Sequence, residues 1–297
     1  MSNLNTRLSS LYQLFLSEKV KEKSEVVIMY IAIGSFLLHL ILIGLVNMDI
    51  IVLSNHSKLL SNPISAIYTP FSFILIYEVY LLLYYLPKST SIYIGKQYEI
   101  ISLIVIRRIF KDLSSIEFSS NWFSIQNDIL FTADLLAILI LFFLIFVFYR
   151  LVKENSSNST QITKPEVVKF ISLKQTLATC LVPILLALSV YSLGHWMYEN
   201  LFSMTKMVTE IKDINKIFFD DFFTILILVE VLLLLFSFLH SDKFNRVIRN
   251  SGFIISTILI KLSFSTEGIM NIILIVIAIV FGVALLKIHN LYETIEK

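Results

Sequence analysis

Residues 268–288 read GIMNIILIVIAIVFGVALLKI, and this stretch decides the class of fold. It contains no acidic residue, and its one basic residue, Lys287, stands at its end. A helix needs about 20 predominantly apolar residues to cross the roughly 30 Å hydrocarbon core of a bilayer. The stretch therefore predicts a transmembrane helix that ends near Lys287.

The rest of the chain repeats this pattern. Of its 297 residues, 57% are hydrophobic and 15% are charged, whereas a soluble domain has about 25% charged residues. Cys180 is the single cysteine, which excludes an internal disulfide or a zinc cluster. We predict an all-α, polytopic transmembrane helix bundle and exclude a soluble enzyme or a secreted domain. Five further blocks are predicted to span, at residues 27–47, 65–86, 129–149, 171–194 and 222–240.

Two apolar stretches are shorter. Residues 97–113 are interrupted by Arg107 and Arg108, and residues 252–264 contain Lys261. Each is a re-entrant or interfacial helix, or a span packed entirely inside the bundle. We take residues 252–264 as a short re-entrant, pore-like helix, which gives six spans with both termini cytoplasmic.

The positive-inside rule gives a different preference. Six spans place 14 Lys and Arg residues inside and 10 outside, but eight spans place 16 inside and 7 outside. The rule alone therefore favours eight spans. We prefer six because the two arginines interrupt the apolar length that a span requires.

The order of these blocks resembles the six-transmembrane plan of the voltage-gated-like cation channels, over roughly residues 27–290. The predicted domains are a cytoplasmic segment at 1–26, a peripheral four-helix domain at 27–196, an amphipathic linker helix at 197–218 and a pore-like domain at 219–297. The resemblance implies an outer pore helix at 222–240, a pore helix at 252–262, a filter-like loop at 263–268 and an inner helix at 269–290. It also implies a homotetramer.

Under this resemblance, a loop of polar residues would line the pore, and Gly282 would serve as a hinge of the inner helix. Rings of carboxylates or carbonyls select cations. The alternative is a plain polar turn between two helices. The chain has no TVGYG filter, and its fourth span carries Lys174 instead of an arginine ladder, so we expect no voltage gating. The predicted pore residues are Lys261, Ser263, Ser265, Thr266 and Glu267.

Glu78, Asp134 and Glu230 lie inside predicted spans, and Lys174 lies near the start of the fourth span. Each costs on the order of 2.5–3.5 kcal/mol on insertion scales. We predict an intramembrane ion-pair network in which Arg107, Arg108 and Lys174 neutralise the acids. Alternatively, each acid is protonated or hydrogen-bonded to a neighbouring helix.

Arg107, Arg108 and Lys111 form a basic group on the short stretch at residues 97–113. Their plain role is to hold anionic lipid headgroups. Their more specific role would be a cytoplasmic site for an anionic ligand, such as a nucleotide, that gates a channel.

Two functions follow from these patterns. The first is an oligomeric ion channel of the bacterial inner membrane, opened by a ligand or a partner protein, for example as a membrane effector in anti-phage defence. The second is a proton- or sodium-coupled transporter that uses the intramembrane carboxylates. We find no catalytic motif, no metal-ligand spacing and no extended nucleic-acid-binding surface in the sequence, so we expect no enzyme, no cofactor and no metal site.

Overall fold

The computed structural model describes residues 10–50, 60, 63–113, 126–156, 165–201, 214–238 and 244–295. Within these ranges the chain is helical and contains no β-strand. Seven of its helical segments are long and apolar enough to cross a membrane. The prediction of an all-α, membrane-spanning protein is thus confirmed at this level.

The helices follow one another with short connections where those are described. The 3₁₀ turn Pro63–Ile67 leads directly into the helix Tyr68–Tyr85. The helices are α1 (Glu18–Asn47), α2 (Tyr68–Tyr85), α3 (Thr90–Leu113), α4 (Gln126–Ser156), α5 (Pro165–Leu201), α6 (Ile214–Phe238), α7 (Phe244–Phe264) and α8 (Ile269–Ile295).

Both short apolar stretches belong to longer helices. Residues 252–264 are the second part of α7, which has 21 residues and the composition of a membrane span. Its first turns carry Asn245, Arg246 and Arg249, so only its second part has the continuous apolar sequence of a membrane span. Residues 97–113 belong to α3, which has 24 residues and is not among the seven candidate spans because of its charges.

The predicted amphipathic linker at 197–218 falls on three parts of the chain. Its beginning is the end of α5, and its last residues are the first turn of α6. Residues 202–213 lie outside the described part of the chain. The predicted domain boundary at residue 196 therefore falls within α5.

Adjacent helices form antiparallel hairpins. A turn at residues 86–89 joins α2 to α3, and a turn at 265–268 joins α7 to α8. In the second turn Gly268 has a φ of 63°, a left-handed conformation that glycine adopts without a steric penalty. Helices α7 and α8 consequently pack against each other along their length.

Contacts between helices define two ends of the bundle. At the Lys88 end, the Lys174 ammonium donates to the Lys88 carbonyl at 3.2 Å, and the Asn290 amide donates to the Leu151 carbonyl at 2.9 Å. The opposite end, which we call the Gly268 end, contains the α7–α8 turn. Helix α3 runs from the Lys88 end toward the Gly268 end.

The exterior of the bundle is apolar, as a membrane requires. Helix α4 exposes Leu139, Phe143 and Phe146 by more than 60% each, although the side chains are large and hydrophobic. Polar groups face inward instead, because a lipid environment offers them no hydrogen bonds. Helix α3 carries several of these inward polar groups. It is largely buried, packs against α2 and α4, and forms side-chain hydrogen bonds to α7 and α8.

Candidate functional site: two polar clusters on the central helix

The polar side chains of α3 form two separate clusters. The arginine cluster lies toward the Gly268 end and consists of Glu78, Arg107, Arg108, Asp134 and Asn271. The Glu230 cluster lies nearer the Lys88 end and consists of Tyr93, Gln97, Lys174, Glu230 and Thr257. Ten residues separate Gln97 from Arg107, or about 15 Å along a helix.

In the arginine cluster, Arg107 pairs with Glu78 of α2. Its Nη2 donates to Glu78 Oε2 at 2.5 Å, and both side chains are about 95% buried. Arg107 Nη1 also donates to the Phe71 carbonyl at 3.4 Å. The pair fixes α3 against α2 and brings two buried, opposite charges together.

Arg108 forms the second pair, with Asp134 of α4. The contact is bidentate, because Nε donates to Oδ2 at 2.6 Å and Nη2 donates to Oδ1. Arg108 Nη1 donates further to the Asn271 side-chain oxygen on α8 at 2.5 Å. Bidentate guanidinium–carboxylate pairs fix geometry as well as charge, so this residue joins three helices.

The arrangement of the arginine cluster is that of a structural brace. Each carboxylate of the cluster has a guanidinium partner on α3, and each arginine faces into the bundle. Both arginines thus pair with carboxylates of neighbouring helices, and contact with lipid or with a cytoplasmic anion stays a prediction. The side chain of Lys111, the third residue of that hypothesis, lies outside the described part of the chain.

The Glu230 cluster has a different chemistry, because neutral groups surround its carboxylate. Thr257 Oγ1 on α7 donates to Gln97 Oε1 at 3.0 Å, and Gln97 Nε2 donates to Glu230 Oε1 at 2.5 Å. This chain of bonds fixes which way the Gln97 amide points. It presents one oxygen of Glu230 to a donor and leaves the other oxygen available.

That second oxygen, Glu230 Oε2, makes no hydrogen bond of standard geometry within the described ranges, and neither does the buried hydroxyl of Tyr93, although the two groups interact electrostatically. Both residues line a cavity of about 40 Å³. Such a volume has room for about three water molecules or one small cation, and it is far below the 300–1,000 Å³ of a typical organic-ligand pocket. The other residues around it are mostly apolar, with Thr90, Ser237, Asn250 and Lys174 as the polar exceptions.

Lys174 of α5 lines the same cavity. Its side chain is 94% buried, and its ammonium donates to the Lys88 carbonyl at 3.2 Å and contacts Thr90 Oγ1 at 3.5 Å. No carboxylate among the described residues lies within ion-pair distance of it. The cavity thus holds a buried cation and a buried acid that face the same space without touching.

The predicted pore residues lie at the Gly268 end. Ser263 is buried, and its carbonyl accepts hydrogen bonds from Thr266 Oγ1 at 2.9 Å and from the Asn271 amide at 2.5 Å. Ser265 and Glu267 are exposed, and Lys261 is half-buried. This geometry is a compact turn between two full-length helices and favours the plain-turn alternative.

Gly282, the predicted hinge, lies where α8 crosses α3. A Cβ atom at this position would stand 1.8 Å from the hydroxyl oxygen of Tyr98, which is fully buried. The Tyr98 hydroxyl shares a hydrogen bond of 2.8 Å with Ser256 Oγ on α7. The glycine therefore leaves the space that the Tyr98 side chain of α3 occupies against α8.

Sequence reasoning found the acids but not their neutral partners. Gln97, Thr257, Tyr93 and Asn271 are uncharged residues in apolar surroundings, and only their position in the bundle shows what they do. The available signal was that residues 97–113 combine a helical length with several polar residues. No family model, no curated protein and no solved structure matches the chain.

Proposed function

We propose that the chain is a membrane transport protein that carries a small cation, a proton or sodium, with Glu230 as its binding carboxylate. The single observation that supports this is the half-bonded state of Glu230. Gln97 holds one oxygen, and the other faces a cavity of about 40 Å³, which has room for a small cation. An ionised carboxylate buried in this way is costly until a proton or a cation neutralises it.

The oxygen atoms around the cavity suit this function. Carboxylate, hydroxyl and amide oxygens are the ligands that hard cations prefer. Glu230, Tyr93, Thr90 and Asn250 offer all three kinds around the same cavity. The arginine cluster, in contrast, is internally neutralised and serves to hold the helices together.

We propose further that α3 crosses the membrane inside the bundle, which gives eight spans. Its 24 residues extend about 36 Å, more than the hydrocarbon core requires. Glu78 and Asp134 neutralise the two arginines that argued against a span. Eight spans also agree with the charge rule, which places the Lys88 end and both termini on the cytoplasmic side of a bacterial inner membrane.

Cysteine labelling tests this topology, starting from a Cys180→Ala background. Single cysteines at Ser89, Lys153 and Ser265 should react with a membrane-impermeant reagent in a defined pattern. We expect the first two on the cytoplasmic face and the third on the opposite face. A cysteine at position 153 that is labelled from the outside would support six spans with a re-entrant α7 and contradict the proposal.

The homo-oligomeric channel is the second candidate function. The observation in its favour is that Ser265 and Glu267 are exposed at the tip of the α7–α8 hairpin, where a ring of four copies would place carboxylates at a pore mouth. Gating by a ligand or partner protein, and a role in anti-phage defence, stay predictions. Against a pore along α8, its polar residues Asn271 and His289 face into the bundle and leave an apolar outer side.

A flux assay in liposomes tests the cation site. The purified protein should give saturable, gradient-driven uptake of sodium or protons, and Glu230→Gln should reduce it to the level of protein-free liposomes because an amide cannot neutralise a cation. Glu154→Gln, on the exposed end of α4, is the matched control and should behave as the unmodified protein. Uptake that survives Glu230→Gln excludes this residue as the site, and unitary conductance steps altered by Glu267→Gln would favour the channel.

A further inference from the structure

Lys174 is a buried lysine that lines the same cavity as Glu230. An ammonium group inside a membrane bundle is retained only at a free-energy cost, and it normally faces a counter-charge. In this structure Lys174 is held by a carbonyl at 3.2 Å and a hydroxyl at 3.5 Å, both of which are neutral. Its nearest available acid across the shared cavity is Glu230.

The carboxylate is incompletely satisfied in a complementary way. Glu230 Oε2 makes no hydrogen bond of standard geometry among the described residues, although the side chain is 94% buried. Both groups line the same cavity of about 40 Å³. A lysine side chain has a flexible four-carbon stem, so its ammonium can change partner while the helices stay in place.

We propose that Lys174 is the internal counter-ion of Glu230 and competes with the transported cation for it. When the carboxylate is ionised and empty, the ammonium moves across the cavity and pairs with Oε2. When a proton or a sodium ion occupies Glu230, the ammonium returns to the Lys88 carbonyl and Thr90, the two acceptors that it contacts in this structure. The proposal rests on the proposed function for the identity of the cation, and its pairing element is tested without transport.

The resting position of Lys174 supports this exchange. The Lys88 carbonyl belongs to the turn between α2 and α3 and is a neutral acceptor. Phe170, one turn earlier on α5, has its ring centroid 5.3 Å from the ammonium. These weak acceptors stabilise the ammonium enough to hold it, but less than a carboxylate would.

A double-mutant cycle in detergent tests the pairing. The thermal midpoints of the unmodified protein, Glu230→Gln, Lys174→Met and the double variant are compared in sodium-free buffer at neutral pH. Each single variant leaves one charge buried without its partner, so we expect each to melt several degrees lower. The double variant should recover most of that loss, because coupled residues give non-additive effects. Lys169→Met, an exposed lysine on the same helix, should leave the midpoint unchanged.

The outcomes separate this inference from the proposed function. Additive effects of the two substitutions would overturn the pairing of Lys174 with Glu230, even where Glu230→Gln still abolishes uptake. A non-additive cycle combined with normal uptake by Glu230→Gln would keep the pair and refute the transport site.

A second variant, Lys174→Arg, covers the case in which Lys174→Met folds poorly. In Lys174→Arg the charge remains, so the midpoint should stay within a few degrees of the unmodified protein, and a loss as large as in Lys174→Met would contradict the proposal.

Where uptake is measurable, the competition has a kinetic signature. Without the lysine, the transported cation has no competitor for Glu230. The half-saturating sodium concentration of Lys174→Met should therefore fall by about tenfold or more, which is the effect of about 1.4 kcal/mol. The maximal rate should fall at the same time, because release becomes slower. An unchanged half-saturating concentration would show that Lys174 does not compete.

Discussion

Replacing Arg107 by methionine is expected to lower the free energy of unfolding by about 3–5 kcal/mol. The substitution keeps a long side chain but leaves the Glu78 carboxylate buried without its cation. The two groups are 2.5 Å apart, with side chains 5% and 3% exposed, so water cannot replace the lost partner. Denaturant-induced unfolding in mixed micelles, followed by circular dichroism, measures the change.

The exposed pair of Arg150 and Glu154 provides the matched control. It is also an arginine–glutamate pair, with 3.3 Å between the charged atoms, but its side chains are 70% and 54% exposed. Surface pairs contribute about 0–1 kcal/mol, so Arg150→Met should change stability little. The double variant Glu78→Gln/Arg107→Met should recover most of the loss, since no unpaired charge remains. Equal effects of Arg107→Met and Arg150→Met would show that α3 is not buried between its neighbours.

Gly282→Ala is expected to destabilise the protein by about 3 kcal/mol, the upper range for an overpacked core position. The added methyl group would stand 1.8 Å from the Tyr98 hydroxyl, and Tyr98 has no exposed surface into which it can move. The tyrosine must shift, and its hydrogen bond to Ser256 is then lost. The thermal midpoint in detergent and the yield of monodisperse protein report the effect.

Two companion variants identify the cause. Gly34→Ala in α1 adds the same methyl group where no atom lies within 4 Å, so it should leave stability unchanged or raise it by about 0.5–1 kcal/mol. Tyr98→Phe removes the oxygen that the methyl group would meet, so Gly282→Ala should be better tolerated in that background. If Gly282 were instead a hinge, the phenylalanine would bring no such relief.

The class of fold could be predicted from the sequence because a membrane span requires local properties only. Apolar length is visible in the order of residues, and blocks such as 27–47 and 268–288 became helices at nearly the predicted positions. The acids at membrane depth were visible for the same reason, since any charge inside such a block is conspicuous. The first turns of α7 contain polar residues, however, so apolar length alone predicted only the second part of this helix.

The position of α3 could not be predicted in this way. On sequence alone, its arginines count as charges exposed to lipid. In the structure, Glu78 of α2 and Asp134 of α4 neutralise them. A charge that is costly beside lipid is tolerable beside a counter-charge inside the bundle, and the sequence of one segment does not reveal its neighbours. The number of spans depends on this distinction.

By itself, the sequence determined that the protein is a bundle of apolar helices with a few buried acids. Only the tertiary structure decided which acids have a cation and which does not. Glu78 and Asp134 meet arginines, whereas Glu230 meets Gln97, a neutral residue 133 positions away in the chain, and shares a cavity with Lys174. The physical reason is that hydropathy acts on each residue where it stands, but the charge state of a buried group depends on atoms that folding brings within a few ångströms.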